Sequence, residues 1–331
     1  MSTASALLTV SNLTLGIRRG GSTTAIVDDV SLTLEHGERF GIVGESGSGK
    51  TMTLRAVASL LPRGVEVLSG SICYGDIELV GLPERRRRSL MGPEIAMIFQ
   101  EPMTALNPVV PVGRQIAEGP MRHLGLGRRA ARDLAVEMMA RTGIPDPRRR
   151  SQAYPHQLSG GLRQRVMIAM ALSCKPKLLL CDEPTTALDV TVQHQVLSLL
   201  EDLCDEVGAS LMFVTHDLAV INQTCREMAV MYSGRIVETG SVKSVLHEPR
   251  HPYTKGLVDS APDFARPDRE LVAIPGFPPN LSNRPPGCAF APRCVYAVDA
   301  CSAAVPAQRE LPGGRTSACI RTGEIFGEEP L

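Results

Sequence analysis

The sequence predicts an α/β fold in which a largely parallel sheet carries helices on both faces. From residue 40 onward, apolar runs of strand length alternate with segments of helical spacing, an alternation that is typical of parallel sheets. A helical block between about 112 and 142 interrupts the alternation, so we expect an inserted α-helical subdomain. After residue 251 prolines accumulate and the periodicity is lost, which predicts a small irregular C-terminal region.

Length and composition limit the class of protein. A chain of 331 residues can form one large domain and a smaller one. Lys plus Arg equals Asp plus Glu at 35 each, and only 4% of the residues are aromatic, so we expect no nucleic-acid partner. The chain starts without a basic flank, and nowhere do 18 apolar residues stand together. We therefore expect a cytosolic protein that is neither exported nor membrane-spanning.

The first strands predict an antiparallel β subdomain. Residues 7–43 alternate apolar and polar side chains, which is the pattern of short strands in a partly solvated sheet. Residues 71–79 predict a hairpin that turns at Gly75 and Asp76.

A phosphate-binding loop lies between a predicted strand, 40–43, and a predicted helix, 52–61. Its glycines allow a tight turn with inward N–H groups, and the helix places the positive end of its dipole at the same point. We expect Lys50 to reach the β- and γ-phosphates of a nucleotide and the Thr51 hydroxyl to bind Mg²⁺. The motif G-x-x-x-x-G-K-T consists of Gly44, Glu45, Ser46, Gly47, Ser48, Gly49, Lys50 and Thr51.

Two adjacent acids follow the apolar strand predicted over 178–181. An acid at the end of a buried strand suits a magnesium ligand of a phosphate site, so we expect Asp182 to hold the metal. Glu183 is predicted to act as the general base toward the attacking water. The alternative for both acids is a helix cap or a solvated turn.

A second anion site is predicted where Ser159, Gly160 and Gly161 open the helix expected over 161–173. One chain needs only one phosphate loop for each nucleotide. A second phosphate-binding helix start therefore predicts that two subunits enclose the nucleotide between them.

The remaining predicted elements are described by their secondary structure alone. A helix is expected over 191–206, a strand over 211–215 and a hairpin over 228–238. The arginine runs 85–88 and 148–150 predict solvated surface loops, with contact to anionic lipid as the alternative.

Six motifs stand in the order and spacing found in ATP-binding cassette ATPases, so residues 1–250 resemble the nucleotide-binding domain of that family. The motifs are the phosphate loop, Gln100 after a strand at 95–99, Leu-Ser-Gly-Gly at 158–161, Asp182-Glu183, Ala187-Leu188-Asp189 and Thr215-His216-Asp217. The resemblance implies a P-loop NTPase core with a helical subdomain at about 101–176. It also implies hydrolysis of ATP with Mg²⁺.

The resemblance implies further roles, residue by residue. Gln100 is expected to contact the metal or the water and to sense the transmembrane partner. His216 is expected to contact the γ-phosphate and the catalytic water, although a lone histidine after a strand is otherwise more often a turn residue. Asp189 would face the phosphate loop of the opposite subunit, and the helix start 159–161 would close on ATP bound by that subunit.

One departure from the family concerns adenine. The family stacks the base on an aromatic side chain at about the position of Thr24, but residues 1–39 contain no Phe, Tyr or Trp. Either Arg18 or Arg19 covers the base by guanidinium stacking, or the base is held loosely. We therefore expect weak discrimination between ATP and GTP.

Longer runs resemble the ATPase subunits of dipeptide and oligopeptide importers, namely 44–50, 98–108, 154–161, 182–190 and His251-Pro-Tyr-Thr254. The resemblance implies a peripheral protein on the cytoplasmic face of the inner membrane. Its partners would be two transmembrane permease subunits, a second ATPase subunit or a copy of itself, and indirectly an extracytoplasmic substrate-binding protein. The alternatives are the same role for nickel, glutathione or opines, and a soluble ATPase outside transport.

Four of the nine cysteines fall in the region 251–331, which we expect to form a Cys-rich C-terminal domain. A segment with little apolar periodicity needs a cross-link to hold its structure, and four thiolates can supply one by binding a metal. The spacings lack the C-x-x-C pairs of structural zinc sites, and four thiolates suit a 4Fe-4S cluster. The region also resembles the end of peptide-importer ATPases, some of which hold such a cluster. We expect an iron–sulfur cluster, with zinc or with free or disulfide-linked thiols as alternatives, at Cys288, Cys294, Cys301 and Cys319.

Overall fold

The computed structural model describes residues 6–19, 22–185, 189–261 and 272–327. The strands are β1 (Leu8–Arg19), β2 (Ser22–Leu34), β3 (Arg39–Val43), β4 (Val65–Tyr74), β5 (Ile77–Glu78), β6 (Ile95–Ile98), β7 (Leu178–Asp182), β8 (Ser210–Thr215), β9 (Glu227–Tyr232), β10 (Arg235–Ser241), β11 (Arg309–Leu311) and β12 (Arg315–Ser317). The helices are α1 (Lys50–Val57), α2 (Glu84–Leu90), α3 (Pro102–Ala105), α4 (Val112–His123), α5 (Arg128–Arg141), α6 (Pro147–Arg150), α7 (Gly160–Leu172), α8 (Val190–Val207), α9 (Leu218–Thr224), α10 (Val242–His247), α11 (Pro252–Ser260) and α12 (Thr322–Phe326).

The chain divides into two compact units, which we call the helical unit and the loop unit. The helical unit contains residues 35–38 and 81–213. The loop unit contains the described residues before 35, residues 39–80 and the described residues from 214 onward. The functional boundary expected near residue 250 stays a prediction.

The helical unit confirms the helical block expected between 112 and 142. α4 and α5 pack against each other and against α7, and the face of α5 that carries Ala135 and Met139 is buried. β6 and β7 pair in parallel, with Ile95 opposite Leu178. Every residue of β7 is buried, as expected for a parallel strand that is covered on both faces.

The loop unit contains an antiparallel sheet with the strand order β2-β1-β4-β5. Leu8 lies opposite Leu34 on one side and opposite Tyr74 on the other. The strands expected over 7–43 are confirmed, but β1 and β2 are 12 and 13 residues long. They exceed the short strands that the alternation predicts because register shifts after Val10 and Leu13 break the period without ending the strand.

A second group of strands in the loop unit has the order β11-β12-β10-β9-β3. β3 and β9 are parallel, and the other pairs are antiparallel. The hairpin expected over 228–238 is confirmed as β9 and β10. The prolines predict an irregular C-terminal region. The structure corrects this in part, because β12 pairs with β10 and Ser317 lies opposite Glu238.

Two local expectations were wrong. α1 ends at Val57 rather than at Leu61, because Ser59 adopts φ 54 and the chain leaves the helix there. The arginine runs lie in the short helices α2 and α6 rather than in loops, although neither helix has a buried residue. Their solvated character is therefore confirmed.

No helix within the described ranges has both the length and the apolar character needed to cross a membrane.

Candidate functional site

The loop between β3 and α1 has the backbone of a phosphate-binding turn. Gly44 adopts φ 157, and a Cβ atom there would lie 2.1 Å from the carbonyl oxygen of Met231. Gly49 adopts φ 105 at the N-cap of α1. Both positions therefore require glycine, one for space and one for its backbone conformation.

Lys50 lies inside this loop and is 5% exposed. Its Nζ atom donates to the carbonyl oxygens of Gly44 at 2.7 Å and Glu45 at 3.0 Å. The ammonium group therefore stands at the centre of the turn, beside the N-terminus of α1, where an anion is favoured. Thr51 follows in the first turn of the helix and is partly exposed.

In the helical unit, β7 ends at two acids as predicted. Asp182 is fully buried, and Glu183 is partly exposed with a positive φ of 44. Such a backbone is strained for a residue with a side chain, and strain of this kind is concentrated at functional sites. Gln100 donates from Nε2 to Oε2 of Glu183 at 3.1 Å, so the structure brings these two predicted residues together.

The predicted second anion site forms the N-terminus of α7. Ser159 caps the helix through its Oγ atom, which accepts from the N–H of Leu162 at 3.4 Å. Ser159 and Gly160 are both exposed. The helix start can therefore be reached by another molecule.

Asp189 and His216 stand at two further turns. Asp189 is exposed and caps α8, accepting from the N–H of Val192 at 2.9 Å. Ala187 and Leu188 lie outside the described residues. His216 is exposed directly after β8, in the loop unit.

The adenine side of the site offers no aromatic ring among the described residues before Glu35. Thr24 lies in β2 opposite Ile17. Arg18, one of the two residues considered as a cover for the base, pairs with Glu66 at 3.4 Å on the surface.

The four C-terminal cysteines line one cavity of about 20 Å³, which has room for a single water molecule. Burial raises the pKa of the thiols of Cys288, Cys294 and Cys319, and the neighbouring cysteines raise it further. Within the described part of the chain, no group of three or more His, Cys, Asp or Glu residues is arranged to hold a metal ion. The structure thus gathers the cysteines but gives no support for a 4Fe-4S or zinc centre.

Sequence analysis missed the contacts between the phosphate loop and the C-terminal region. The N–H of Glu45 donates to the hydroxyl of Tyr253 at 2.8 Å. The carboxylate of Glu45 accepts two hydrogen bonds from Arg293, at 2.6 and 2.9 Å. The run His251-Pro-Tyr-Thr254 was a signal for the first contact, whereas no local pattern marks Arg293.

Comparison with known proteins agrees with this geometry. Residues 27–186 match the ABC transporter family model, and residues 237–301 match the model of the oligopeptide/dipeptide transporter C-terminal region. A putative peptide import ATP-binding protein of Brucella melitensis is 47% identical over 96% of this chain and 98% of its own length. The dipeptide transport ATP-binding protein DppD of Escherichia coli is 45% identical over 95% of this chain and 96% of its own length.

Solved structures give the same result for the fold. A dimeric ATP-binding cassette in a post-hydrolysis state with ADP and Pi has a TM-score of 0.64 and 25% identity, covering 71% of this chain and 98% of that one. A component of the cbiONQ transporter complex of Clostridium perfringens has a TM-score of 0.62 and 26% identity, covering 74% and 92%. The chain belongs to the ATP-binding cassette transporter family, as an ATPase of its dipeptide and oligopeptide importer branch.

Proposed function

We propose that this chain hydrolyses ATP to drive the uptake of dipeptides or oligopeptides through a membrane importer. The observation that carries the proposal is that one chain combines the Lys50 loop with a C-terminal region of the oligopeptide and dipeptide type. The relatives that match over nearly the whole chain are named for peptide import.

The phosphate loop binds and neutralises the triphosphate. The Lys50 ammonium offsets the negative charge that develops on the transferred phosphoryl group, and the N–H groups of the loop add fixed partial charges. Thr51 and Asp182 supply the hard oxygen ligands that Mg²⁺ prefers, so their chemistry fits this ion. When bound, Mg²⁺ neutralises phosphate charge as a Lewis acid.

Glu183 acts as the general base. Its carboxylate takes a proton from the attacking water, and the hydrogen bond from Gln100 orients the carboxylate for that step. His216 contacts the γ-phosphate and the same water. The reaction is phosphoryl transfer to water, which produces ADP and inorganic phosphate.

The second half of each site comes from a partner subunit. The exposed helix start at Ser159, Gly160 and Gly161 provides N–H groups and a positive dipole end. It closes on ATP that the partner's phosphate loop holds, and Asp189 faces that loop. Binding of ATP thus joins two chains, and hydrolysis separates them.

The partners follow from this role. The protein docks as a peripheral subunit on the cytoplasmic face of the inner membrane, against two permease subunits. A second ATPase subunit or a copy of this chain completes the pair, and an extracytoplasmic binding protein delivers the solute to the permease.

An uptake assay tests the proposal. In a strain that lacks the gene, uptake of a radiolabelled dipeptide should fall to background, the wild-type gene should restore it and Lys50→Ala should not. Unchanged dipeptide uptake with a loss of nickel or glutathione uptake would show that the importer carries that solute instead of dipeptides. Unchanged uptake of all of these would favour an ATPase outside transport.

We also propose that the four cysteines hold a metal centre, with a 4Fe-4S cluster preferred over zinc. Four thiolates match the donors of both centres. The described residues do not fit a metal as they stand, because no three of their His, Cys, Asp or Glu side chains are arranged to hold one.

Metal analysis of protein purified without oxygen tests this second proposal. About four iron and four sulfide per chain, with broad visible absorption, would support the cluster. One zinc per chain without iron would assign zinc. Protein that contains neither metal would leave thiols or disulfides as the state of these cysteines.

A further inference from the structure

We propose that Tyr253 and Arg293 of the C-terminal region are positioning residues of the phosphate loop, which they hold through Glu45. The inference concerns nucleotide binding and does not depend on which solute is carried. It gives a role to the run His251-Pro-Tyr-Thr254, which the roles assigned above leave unexplained.

Arg293 binds the side chain of Glu45 as a bidentate pair. Its Nη1 atom lies 2.6 Å from Oε2 of Glu45, and its Nη2 atom lies 2.9 Å from Oε1. The Arg293 side chain is only 4% exposed, and its Nε atom donates to the carbonyl oxygen of Pro275 at 2.8 Å. Two parallel charge-assisted bonds from a buried guanidinium fix both the position and the orientation of the carboxylate.

Tyr253 binds the backbone of the same loop residue. Its hydroxyl accepts the hydrogen bond from the N–H of Glu45 at 2.8 Å, and its side chain is fully buried. The ring packs against Tyr232, with centroids 4.5 Å apart, and against Phe290, with centroids 5.4 Å apart. The hydroxyl therefore stands on a rigid aromatic cluster, and it satisfies a loop N–H through a fixed acceptor.

The cluster of Tyr232, Tyr253 and Phe290 also holds Arg293. The guanidinium carbon of Arg293 lies 5.8 Å from the ring centre of Tyr232 and 5.9 Å from that of Phe290, within the range of a cation–π contact. The Tyr232 hydroxyl lies 3.3 Å from Nη1 of Arg293. Both groups that contact Glu45 are thus fixed by one set of buried rings.

The charge of Glu45 gives these contacts a consequence for ATP. Glu45 is part of the loop that binds phosphates, and its own carbonyl oxygen accepts from Lys50. A carboxylate without a counter-charge would repel the triphosphate and would compete for Lys50. Arg293 removes this repulsion and holds the carboxylate in place. Loss of Arg293 should therefore weaken ATP binding and leave the chemical step unchanged.

The experiment measures ATP affinity and turnover of the full chain with Arg293→Ala. We expect the Kd and the KM for Mg-ATP to rise about 10-fold, while kcat stays within about twofold. Adding Glu45→Gln should return the KM to within about threefold of wild type, because it removes the repelling charge. Arg293→Lys should give an intermediate KM, and Tyr253→Phe should raise the KM about threefold.

A matched control separates positioning from general stability. Arg315 forms a buried pair with Glu238 at 3.1 Å in the same unit, and its side chain is 5% exposed. Glu238 also accepts from the N–H groups of Arg250 and His251, so this pair stabilises the segment that carries Tyr253, whereas Arg293 binds Glu45 directly. Arg315→Ala should therefore lower the melting temperature and raise the Kd for ATP by less than Arg293→Ala does.

Several outcomes would overturn the proposal. These are an unchanged Kd in Arg293→Ala, an equal rise in Arg293→Ala and Arg315→Ala, or no recovery on adding Glu45→Gln. If Arg293→Ala does not fold, the variants Arg293→Lys and Tyr253→Phe test the proposal instead. Wild-type KM values in both variants would contradict the inference.

Discussion

Glu183 combines an unusual backbone conformation with a predicted chemical role. Its positive φ of 44 turns the chain sharply at the end of β7, at a cost of about 1–3 kcal/mol for a residue that is not glycine. The turn leaves its carboxylate partly exposed and within 3.1 Å of Gln100. A structural turn would avoid this cost with glycine, so the strain supports a functional role for Glu183.

Replacing Glu183 by Gln tests that role. The amide cannot accept the proton of the attacking water, so kcat should fall at least about 100-fold, while the Kd for ATP stays near that of wild type. Steady-state phosphate release and equilibrium nucleotide binding measure the two quantities. Glu101→Gln removes the same charge from an exposed neighbour of Gln100 and should leave both unchanged. Retained hydrolysis in Glu183→Gln would remove Glu183 from the mechanism.

The adenine side makes a second prediction at this scale. No aromatic ring is available among the described residues before Glu35, and Arg18 is engaged with Glu66. We therefore expect Kd values for ATP and GTP within about threefold of each other. A competition binding assay measures this ratio, and a strong preference for ATP would contradict the prediction.

The individual site residues could be predicted from the sequence where their chemistry is local. The loop 44–51 and the acids at the end of β7 each form a short run with a recognisable spacing, and they lie beside the strands and helix that the sequence predicts. Their roles stay predictions. The contact between Arg293 and Glu45 could not be predicted, because 248 positions separate the two residues and a single arginine forms no sequence pattern that would indicate its partner.

At the scale of elements, α11 depends on an uncommon cap. His251 is 1% exposed, and its Nδ1 atom accepts from the N–H of Tyr253 at 3.0 Å. Burial lowers the pKa of His251 from 6.5 to about 3, so the folded protein holds a neutral imidazole. The backbone N–H of His251 donates to the carboxylate of Glu238 at 2.9 Å, and burial raises the pKa of that carboxyl.

This cap predicts a loss of stability in acid. The pKa of His251 is lower in the folded than in the unfolded chain, so its contribution is complete above about pH 6.5 and is lost as the pH falls toward 3. Between pH 7.5 and pH 5 the loss should be about 2 kcal/mol. Glu238, whose folded pKa is raised, changes stability in the opposite direction over this range.

The variant His251→Asn isolates the imidazole, because Asn can cap the helix but does not titrate. Thermal unfolding of both proteins at pH 7.5 and pH 5 measures the difference. The wild type should lose more stability than the variant on acidification. Equal losses would show that His251 does not control this dependence.

The elements themselves could be predicted in proportion to their length. α7, α8 and the β9–β10 hairpin have enough residues to show a period, and all three are confirmed. β11 and β12 have three residues each, too few for a pattern, and they are determined by pairing, β12 with β10 and β11 with β12. α2 was missed because its charged run has no buried face and therefore no amphipathic period.

At the scale of the whole molecule, the predicted site residues are divided between the two units. The phosphate loop and His216 belong to the loop unit, whereas Gln100, Glu183, Ser159 and Asp189 belong to the helical unit. The order of the motifs was sufficient to predict the family, since that order is a property of the chain. The solute could not be predicted from any residue, because the permease and the binding protein, rather than this chain, would contact the solute.

The enclosure of ATP by two chains is the central claim, and a label transfer experiment tests it most directly. One chain carries Lys50→Ala and a photoreactive amino acid at position 159, so it cannot bind ATP at its own loop. Its mate keeps Lys50 and carries Glu183→Gln, so it binds radiolabelled ATP without hydrolysis. We predict that light transfers the label to the Lys50→Ala chain. Label found only on the chain that keeps Lys50 would contradict the account.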